Sequence, residues 1–557
     1  MSGSCRRGVS RPLGATEVGT PLRSDTPVGH WPPLVGDLER YLESPLERGR
    51  RALWGGLRRA RATARAVQRW TRTGPKGDAA SEPPKDVREW LFYAAAAEMA
   101  DPEAQFSPTT VAAGFCELVG RGGSVTARRV LSSVERQLPA LPAKLARRVA
   151  ARIIDIHRAW GDDQELEAFT RRHETLLRDA RRHPGSFSGQ GLMARDGDEG
   201  ADGFMSPQQA SQMLTLGELS PEAVCRALLQ QRERVARDPE LELLLASAYA
   251  LGYPDWVGAP LNRYLVAQGT PRLRVLDGDG LLLARLAPPL SLARRGGPRV
   301  SVIIAARDAA STIRYSVDSI LDQSYRDIEV LVCDDSSSDD TLSVLLRAYG
   351  HHPRVRLFAS ERNQGSYNVR NALCEAASGS YVTFHDADDY ALPTRIAAQV
   401  AVLGRHGTVG VVGSGLRVRN DSTFVFYCRP GPLRLSMVSL MLRRSLVREL
   451  GPFRSARFGA DKEFYERLRS RFPGRVARIH QPLILSLWSS SSLTRGRGSE
   501  SLETGFRSEA RHAYSELSFR RWLFGEEQVP DTAIEASLLE HGNYLEPAPV
   551  RELTSQR

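Results

Sequence analysis

Four short polar segments each close an apolar run in the second half of the chain. Ala305-Ala306-Arg307-Asp308 completes VSVIIAA, and Asp334-Asp335-Ser336-Ser337-Ser338-Asp339-Asp340 follows IEVLVC. Glu361-Arg362-Asn363-Gln364-Gly365 and His385-Asp386-Ala387-Asp388-Asp389 follow the third and fourth runs. Carboxylates repel one another, so Asp335, Asp386 and Asp388 gathered on one edge would cost stability unless a positive charge joined them. A hard divalent cation with oxygen ligands, Mn²⁺ or Mg²⁺, is the natural counter-charge, because it keeps some of its water and bridges phosphate oxygens. A nucleotide diphosphate would supply those oxygens, and Asp335 could accept hydrogen bonds from its base or ribose. Each acidic segment alone reads more simply as structure: the first caps a following helix, and Asp388-Asp389 before Pro393 makes a turn. Both together, in order on successive runs, point to a site.

Such convergence requires a sheet. The apolar runs predict strands at Val300–Ala306, Ile328–Cys333, Val355–Ala359 and Tyr381–Phe384. Helical spacing predicts helices at Ser311–Leu321, Asp339–Tyr349 and Tyr367–Ala377. This alternation argues for a mostly parallel, Rossmann-like α/β sheet with helices on both faces, and ligands of such sheets bind beyond the carboxyl ends of the strands. Further on, the pattern predicts a polar strand pair (about Val409–Arg419 and Phe424–Cys428), a helix over Leu435–Leu450 and a turn at Gly451-Pro452-Phe453. Gly459-Ala460-Asp461-Lys462-Glu463-Phe464 then opens another helix, where an acidic residue suits the first turn on its own account.

From Pro298 to about Thr494, roughly a third of the 557 residues, the chain resembles family 2 glycosyltransferases of the GT-A fold. The matching segments are VSVIIAARDAASTIRYSVDSILDQSYRDIEVLVCDDSSSDDT, ERNQGSYNVRNAL and GSYVTFHDADD. The resemblance implies a nucleotide-sugar donor of the UDP type, with Ala305 and Arg307 beside the nucleotide and Asp335 on the uracil or its ribose. Asn363, Arg370 and Asn371 would flank the donor, with Val369 where the family often has Ala. Asp386-Ala387-Asp388 matches the D-x-D motif, Asp388 as the direct metal ligand and Asp386 in support. Asp461 matches the catalytic base. Ala460 replaces the first acid of the family's E-D pair, which leaves Glu463 as the fallback base. Ser489 stands where many members carry a His ahead of Ser492-Leu493-Thr494. The implied activity is metal-dependent, inverting sugar transfer to a hydroxyl of a glycan, lipid-linked or protein acceptor, in polysaccharide or surface-glycan biosynthesis. The alternative is a degenerate module that binds a nucleotide or glycan while the helical half recruits partners. Ala460 and Ser489 favour that alternative; the intact D-x-D favours the enzyme.

The rest of the chain carries no catalytic constellation. We divide it into a disordered, basic segment 1–85, a helical domain 86–183, a flexible linker 184–206, a helical region and connector 207–297, the α/β domain 298–498 and a helical tail 499–557. Packing, oligomerisation or partner binding is the plain reading of the helices. Between Arg48 and Lys76 lie ten basic residues and no acidic one. Leu53, Leu57, Ala60, Ala64 and Val67 share one helical face, with Trp54 and Trp70 as interface anchors. That segment suits either peripheral contact with an anionic membrane or packing on the next domain. No apolar run approaches the ~18 residues of a membrane span, and the first thirty residues lack a secretory apolar core. A cytoplasmic protein, peripheral at the inner membrane face, is the expectation. The net charge of +11 is a weak sign of nucleic acid, because only four of 76 basic residues are Lys, a genome-wide bias that needs no polyanion partner. Six scattered cysteines without a C-x-x-C pair suggest reduced thiols.

Overall fold

A computed structural model describes residues 108–173, 207–290, 296–426, 432–489 and 500–553, apart from 122, 161, 279, 503 and 504, together with Ala94 and Leu176. The basic segment Arg48–Lys76, the linker 184–206 and Ser492–Thr494 lie outside the described residues. Among the described residues no helix is long and apolar enough to cross a membrane.

The apolar runs of the second half become the strands β1 (Val300–Ala306), β2 (Ile328–Asp334), β3 (Val355–Ser360) and β4 (Tyr381–Asp386). The same sheet takes in β5 (Asp389–Ala391), β6 (Gly410–Arg419), β7 (Arg434–Arg443), β8 (Val476–Trp488) and β9 (Val550–Glu552). The order across it is β9-β3-β2-β1-β4-β7-β6-β8-β5. β1 pairs in parallel with β2 and β4, and β2 with β3. Strands covered on both faces need no polar alternation, and every residue of β1 except Ala305 is buried. The α/β expectation is therefore met from Val300 onward.

The helices labelled here are α1 (Ile313–Leu321), α2 (Thr341–Tyr349), α3 (Gly365–Ala376), α4 (Arg395–Leu403), α5 (Arg444–Leu450), α6 (Ala460–Arg471), α7 (Glu509–Phe524) and α8 (Asp531–Glu540). One expectation is corrected: Leu435–Leu450 is not one helix but β7 followed by the short α5. β7 lies between β4 and β6, antiparallel to both. Val438, Leu440, Met441 and Leu442 are thus buried in the sheet interior, and their spacing suits either a buried strand or a helix. The strand expected at Phe424–Cys428 is reduced to a single bridge, Val418 to Phe424, among the described residues. The C-terminal segment is not helical throughout either. It ends in β9, antiparallel to β3 at the sheet edge.

Two satellite cores attach the helical segments. Helices between Pro207 and Ala267 pack Leu241, Leu244 and Leu261 with Tyr390, Leu416 and Leu485 of β5, β6 and β8. Helices between Pro108 and Arg172 share a core with Phe519 and Leu523 of α7. Thr126 donates to the Glu516 carboxylate, and Trp160 stacks on His512 with ring centres 4.4 Å apart.

Candidate active site

Strand order creates the site. β2 and β3 lie on one side of β1 while β4 lies on the other, so β1 and β4 flank the point where the winding reverses, the usual ligand crevice of an open α/β sheet. Register brings the acidic segments to one rim: Ala305 pairs with Cys333 and Asp386, and Ala306 with Asp334. The ends of β2 and β4 therefore stand two strand spacings apart, about 10 Å.

The loops after β1 and β2 clasp each other. Asp308 and Ser336 hold positive φ of 47° and 58°, conformations that cost a non-glycine residue about 1–2 kcal/mol each. Hydrogen bonds offset that strain. The Asp308 carboxylate accepts from the Ser338 amide at 2.7 Å and its hydroxyl at 2.9 Å, while Ser337 Oγ accepts from the Asp308 amide at 3.0 Å. The Ser338 amide holds the Asp308 carboxyl below its ordinary range. Arg307 donates to the carbonyls of Asp335 and Ser336 at 3.0 and 3.1 Å, which puts an exposed cation beside both strand ends.

Asp335 is buried, and its two carboxylate oxygens accept from the amides of Gln364 at 3.0 Å and Gly365 at 2.8 Å. It thereby caps α3. Burial pushes its carboxyl up, and those two amides pull it back. Asn363 Oδ1 also accepts from the Gly365 amide at 3.2 Å. Gly365 has φ +81°, and an added Cβ would lie 2.6 Å from Leu545 Cδ1. Gly365→Ala combines left-handed strain with overpacking, together about 2–4 kcal/mol. We expect a lower melting temperature, which calorimetry checks. Asn371 exchanges two bonds with the Phe453 backbone, at 2.9 and 2.8 Å, and so fastens the Gly451-Pro452-Phe453 turn to α3.

The end of β4 concentrates negative charge. The carbonyls of Asp386 and Asp388 are held by Ser316 Oγ at 2.9 Å and the Tyr315 hydroxyl at 2.8 Å. Burial first, then the Asp386 charge, push the Asp388 carboxyl up to about 7. Asp389, bonded by Ser486 Oγ at 2.9 Å, is pushed well above its ordinary range by burial and then by Asp388 and Asp386. The counter-charges come from two helices and from β6. Arg370 Nη2 pairs with Asp386 Oδ1 at 2.7 Å. Arg395, fully buried, donates to His385 Nδ1 at 2.9 Å and to the Phe384 carbonyl at 2.6 Å. Burial lowers the Arg395 pKa to about 10, against the pull of Asp389 and Asp386. Arg417, stacked 4.1 Å over the Trp488 ring, lowers Asp388. Among the described residues no group of three or more His, Cys, Asp or Glu side chains is arranged as a metal cluster. Asp386 and Asp388 nonetheless fit a hard cation: both are oxygen donors, and a cation would offset the burial and the Asp386 charge that raise Asp388.

Asp461 opens α6 after Gly459, which has φ +89°. Its Oδ1 accepts from the Tyr367 hydroxyl at 3.0 Å and from the Lys462 amide at 2.8 Å. Burial, and then the Asp461 charge, push the Tyr367 hydroxyl above its ordinary range, so it stays a donor. Arg370 lies 5.4 Å over the Tyr367 ring. A continuous chain thus runs Asp386–Arg370–Tyr367–Asp461. Arg511 of α7 lies 4.7 Å over the Phe458 ring and adds positive charge near Asp461. Glu463 is not brought into this chain. It is buried against Arg467 at 3.0 Å and lines a cavity of about 210 Å³ between α6 and α7, with Tyr514, Phe519 and Trp522. Ser489 bonds Asn420 at 3.4 Å. Sequence reasoning did not single out Tyr367, Arg395 or Arg511. The i, i+3 spacing of Tyr367 and Arg370 on α3 was the available signal for the first.

Residues 301–465 match the family described as Glycosyl transferase family 2. EpsE of Bacillus subtilis (strain 168) is 33% identical over 172 residues, covering 29% of this chain and 62% of EpsE. UDP-Glc:alpha-D-GlcNAc-diphosphoundecaprenol beta-1,3-glucosyltransferase WfaP of Escherichia coli is 38% identical over 101 residues, 18% of this chain and 39% of WfaP. The chain thus spans less than two thirds of either relative. Among solved structures, S. aureus TarS 1–349 in complex with UDP-GlcNAc aligns over 41% of this chain and 74% of that one, at 18% identity and a TM-score of 0.31.

Proposed function

Since residues 301–465 are a family 2 glycosyltransferase domain, we propose that the protein transfers a sugar from a UDP-linked donor, with inversion, to a hydroxyl of a glycan or lipid-linked glycan. The observation that carries this reading is the chain of contacts joining the acidic rim to the Asp461 carboxylate: Arg370 pairs with Asp386, its guanidinium lies over the Tyr367 ring, and the Tyr367 hydroxyl donates to Asp461. Arg307, Asn363 and the Asp335-capped start of α3 surround the nucleotide. Asp388, with Asp386, would hold Mn²⁺ or Mg²⁺. Such a cation, when bound, neutralises charge developing on the leaving diphosphate. Asp461, with Oδ1 occupied, uses Oδ2 to take the proton of the acceptor hydroxyl as that oxygen attacks the anomeric carbon from the face opposite the diphosphate. The membrane contact of Arg48–Lys76 belongs to the same proposal: a basic surface would keep the enzyme near a lipid-linked acceptor.

Thermal denaturation with UDP, UDP-glucose and UDP-N-acetylglucosamine, each with and without Mn²⁺, tests the donor assignment. A ligand held only by the native state raises the melting temperature, by about 2.7 kcal/mol of stability at one hundred times its Kd. We expect a shift with the UDP compounds that grows with Mn²⁺. Indifference to all of them rejects the reading. Binding without turnover of any donor leaves the degenerate binding module instead.

A further inference from the structure

We infer that Tyr367 is a positioning residue for the base, an inference that rests on the reading of Asp461 given above. Two hydrogen-bond partners of the Tyr367 hydroxyl fix its role. It accepts from the Gly459 amide at 3.2 Å and lies 3.0 Å from Asp461 Oδ1. An amide can only donate and a hydroxyl has one hydrogen, so the direction is determined: Tyr367 gives its hydrogen to the Asp461 carboxylate. Oδ1 also receives the Lys462 amide at 2.8 Å, and among the described residues no donor is aimed at Oδ2. The pair of bonds therefore fixes the carboxylate rotamer and leaves one oxygen for the acceptor proton.

Tyr367 is itself held in place. It is buried, its ring stacks on Phe453 at 5.8 Å, and the Arg370 guanidinium covers it at 5.4 Å while pairing with Asp386. Gly459 donates from a left-handed conformation, φ +89°, and an added Cβ there would meet the Tyr514 ring at 3.3 Å. One phenol therefore ties the start of α6 to the residue that neutralises the acidic rim, and sets where the base stands relative to the donor phosphates. A reaction that depends on near-attack placement is sensitive to this, because displacement of a catalytic group by about 1 Å can cost on the order of 10²-fold.

The test is a double-mutant cycle on the full chain. UDP release is followed with Mn²⁺ and UDP-glucose or UDP-N-acetylglucosamine, whichever stabilises the protein, for the parent, Tyr367→Phe, Asp461→Ala and the double variant. Melting temperatures are recorded alongside. Tyr367→Phe keeps the ring and its stacking and is expected to lower kcat about tenfold, the scale of one hydrogen bond to a charged group, with the donor KM within about twofold. In the Asp461→Ala background the same change should cost nothing further, because residues acting as a unit are non-additive. Equal losses in both backgrounds, or a Tyr367→Phe variant at the parental rate, overturn the inference while leaving the base assignment intact. An Asp461→Ala variant at the parental rate overturns both.

Discussion

Asp461→Asn is expected to lower sugar transfer by about 10²–10⁴, the range for loss of a general base, and to leave UDP binding near its parental value. The substitution is close to isosteric. The amide oxygen can still accept from Tyr367 and from the Lys462 amide, the two donors that hold the side chain now. What disappears is the basicity of the second oxygen. UDP binding should be little changed, because Asp335 bonds the Gln364 and Gly365 amides, Arg307 bonds the loop carbonyls, and the Tyr367 bond that links α3 to α6 is one the amide oxygen preserves. Radiolabelled sugar transfer and a UDP titration read the two quantities separately. A parental rate in this variant would move the base away from α6 altogether, since Glu463 is committed to Arg467 on the cavity side.

Arg395→Met is expected to be the most destabilising single change, at about 3–5 kcal/mol, the cost of stripping one partner from a buried charged group. Met has a similar volume, so the loss is electrostatic and not a cavity effect. Arg395 donates to His385, Thr383, Phe384 and Gln399 beneath the strand end that carries Asp386, Asp388 and Asp389. Because Arg395 can only donate to His385 Nδ1, the His385 proton sits on Nε2 and points to the Asp389 carbonyl at 3.2 Å. Burial, the larger of the two causes that hold His385 well below its ordinary range, persists in the variant, and this works against its taking over as the cation. The acidic rim would therefore lose its deepest positive charge. Scanning calorimetry should show a fall in melting temperature on the order of 10 °C. A fall below about 2 °C would mean that water or Arg370 compensates the carboxylates, and that Arg395 is only a packing residue.

The parts of this molecule legible in the sequence are those whose signal is local. Strands β1 to β4 begin at the expected residues and end within two of the expected ones, because parallel strands buried on both faces are unbroken apolar runs. The acidic turn residues mark where those runs stop, and so the rim itself could be read. The segment Arg434–Arg443 could not, because its strand state comes from β4 and β6 on either side and not from its own spacing. β9 spans three residues, too short for any period. The roles of Tyr367 and Arg395 are set by partners: Asp461 is 94 positions from Tyr367, and His385 sits on a neighbouring strand. Arg395 does leave a trace, as the lone charge in the stretch RIAAQVAVL, apolar otherwise except for Gln399, just after the acidic motif.

The fastening of α3 has a consequence for biosynthesis. The loop that presents its amides to Asp335 is secured from far downstream: the Gln364 side chain accepts from the Ala548 amide, Asn368 donates to the Leu545 carbonyl, and Leu545 fills the space beside Gly365. These partners leave the ribosome about 180 residues after the loop. A nascent chain can lay down β1 to β4 early, yet the loop that opens α3 stays unlatched until translation has passed Ala548. Catalytic competence should therefore appear late and abruptly during synthesis, after nearly all of the sheet has already formed.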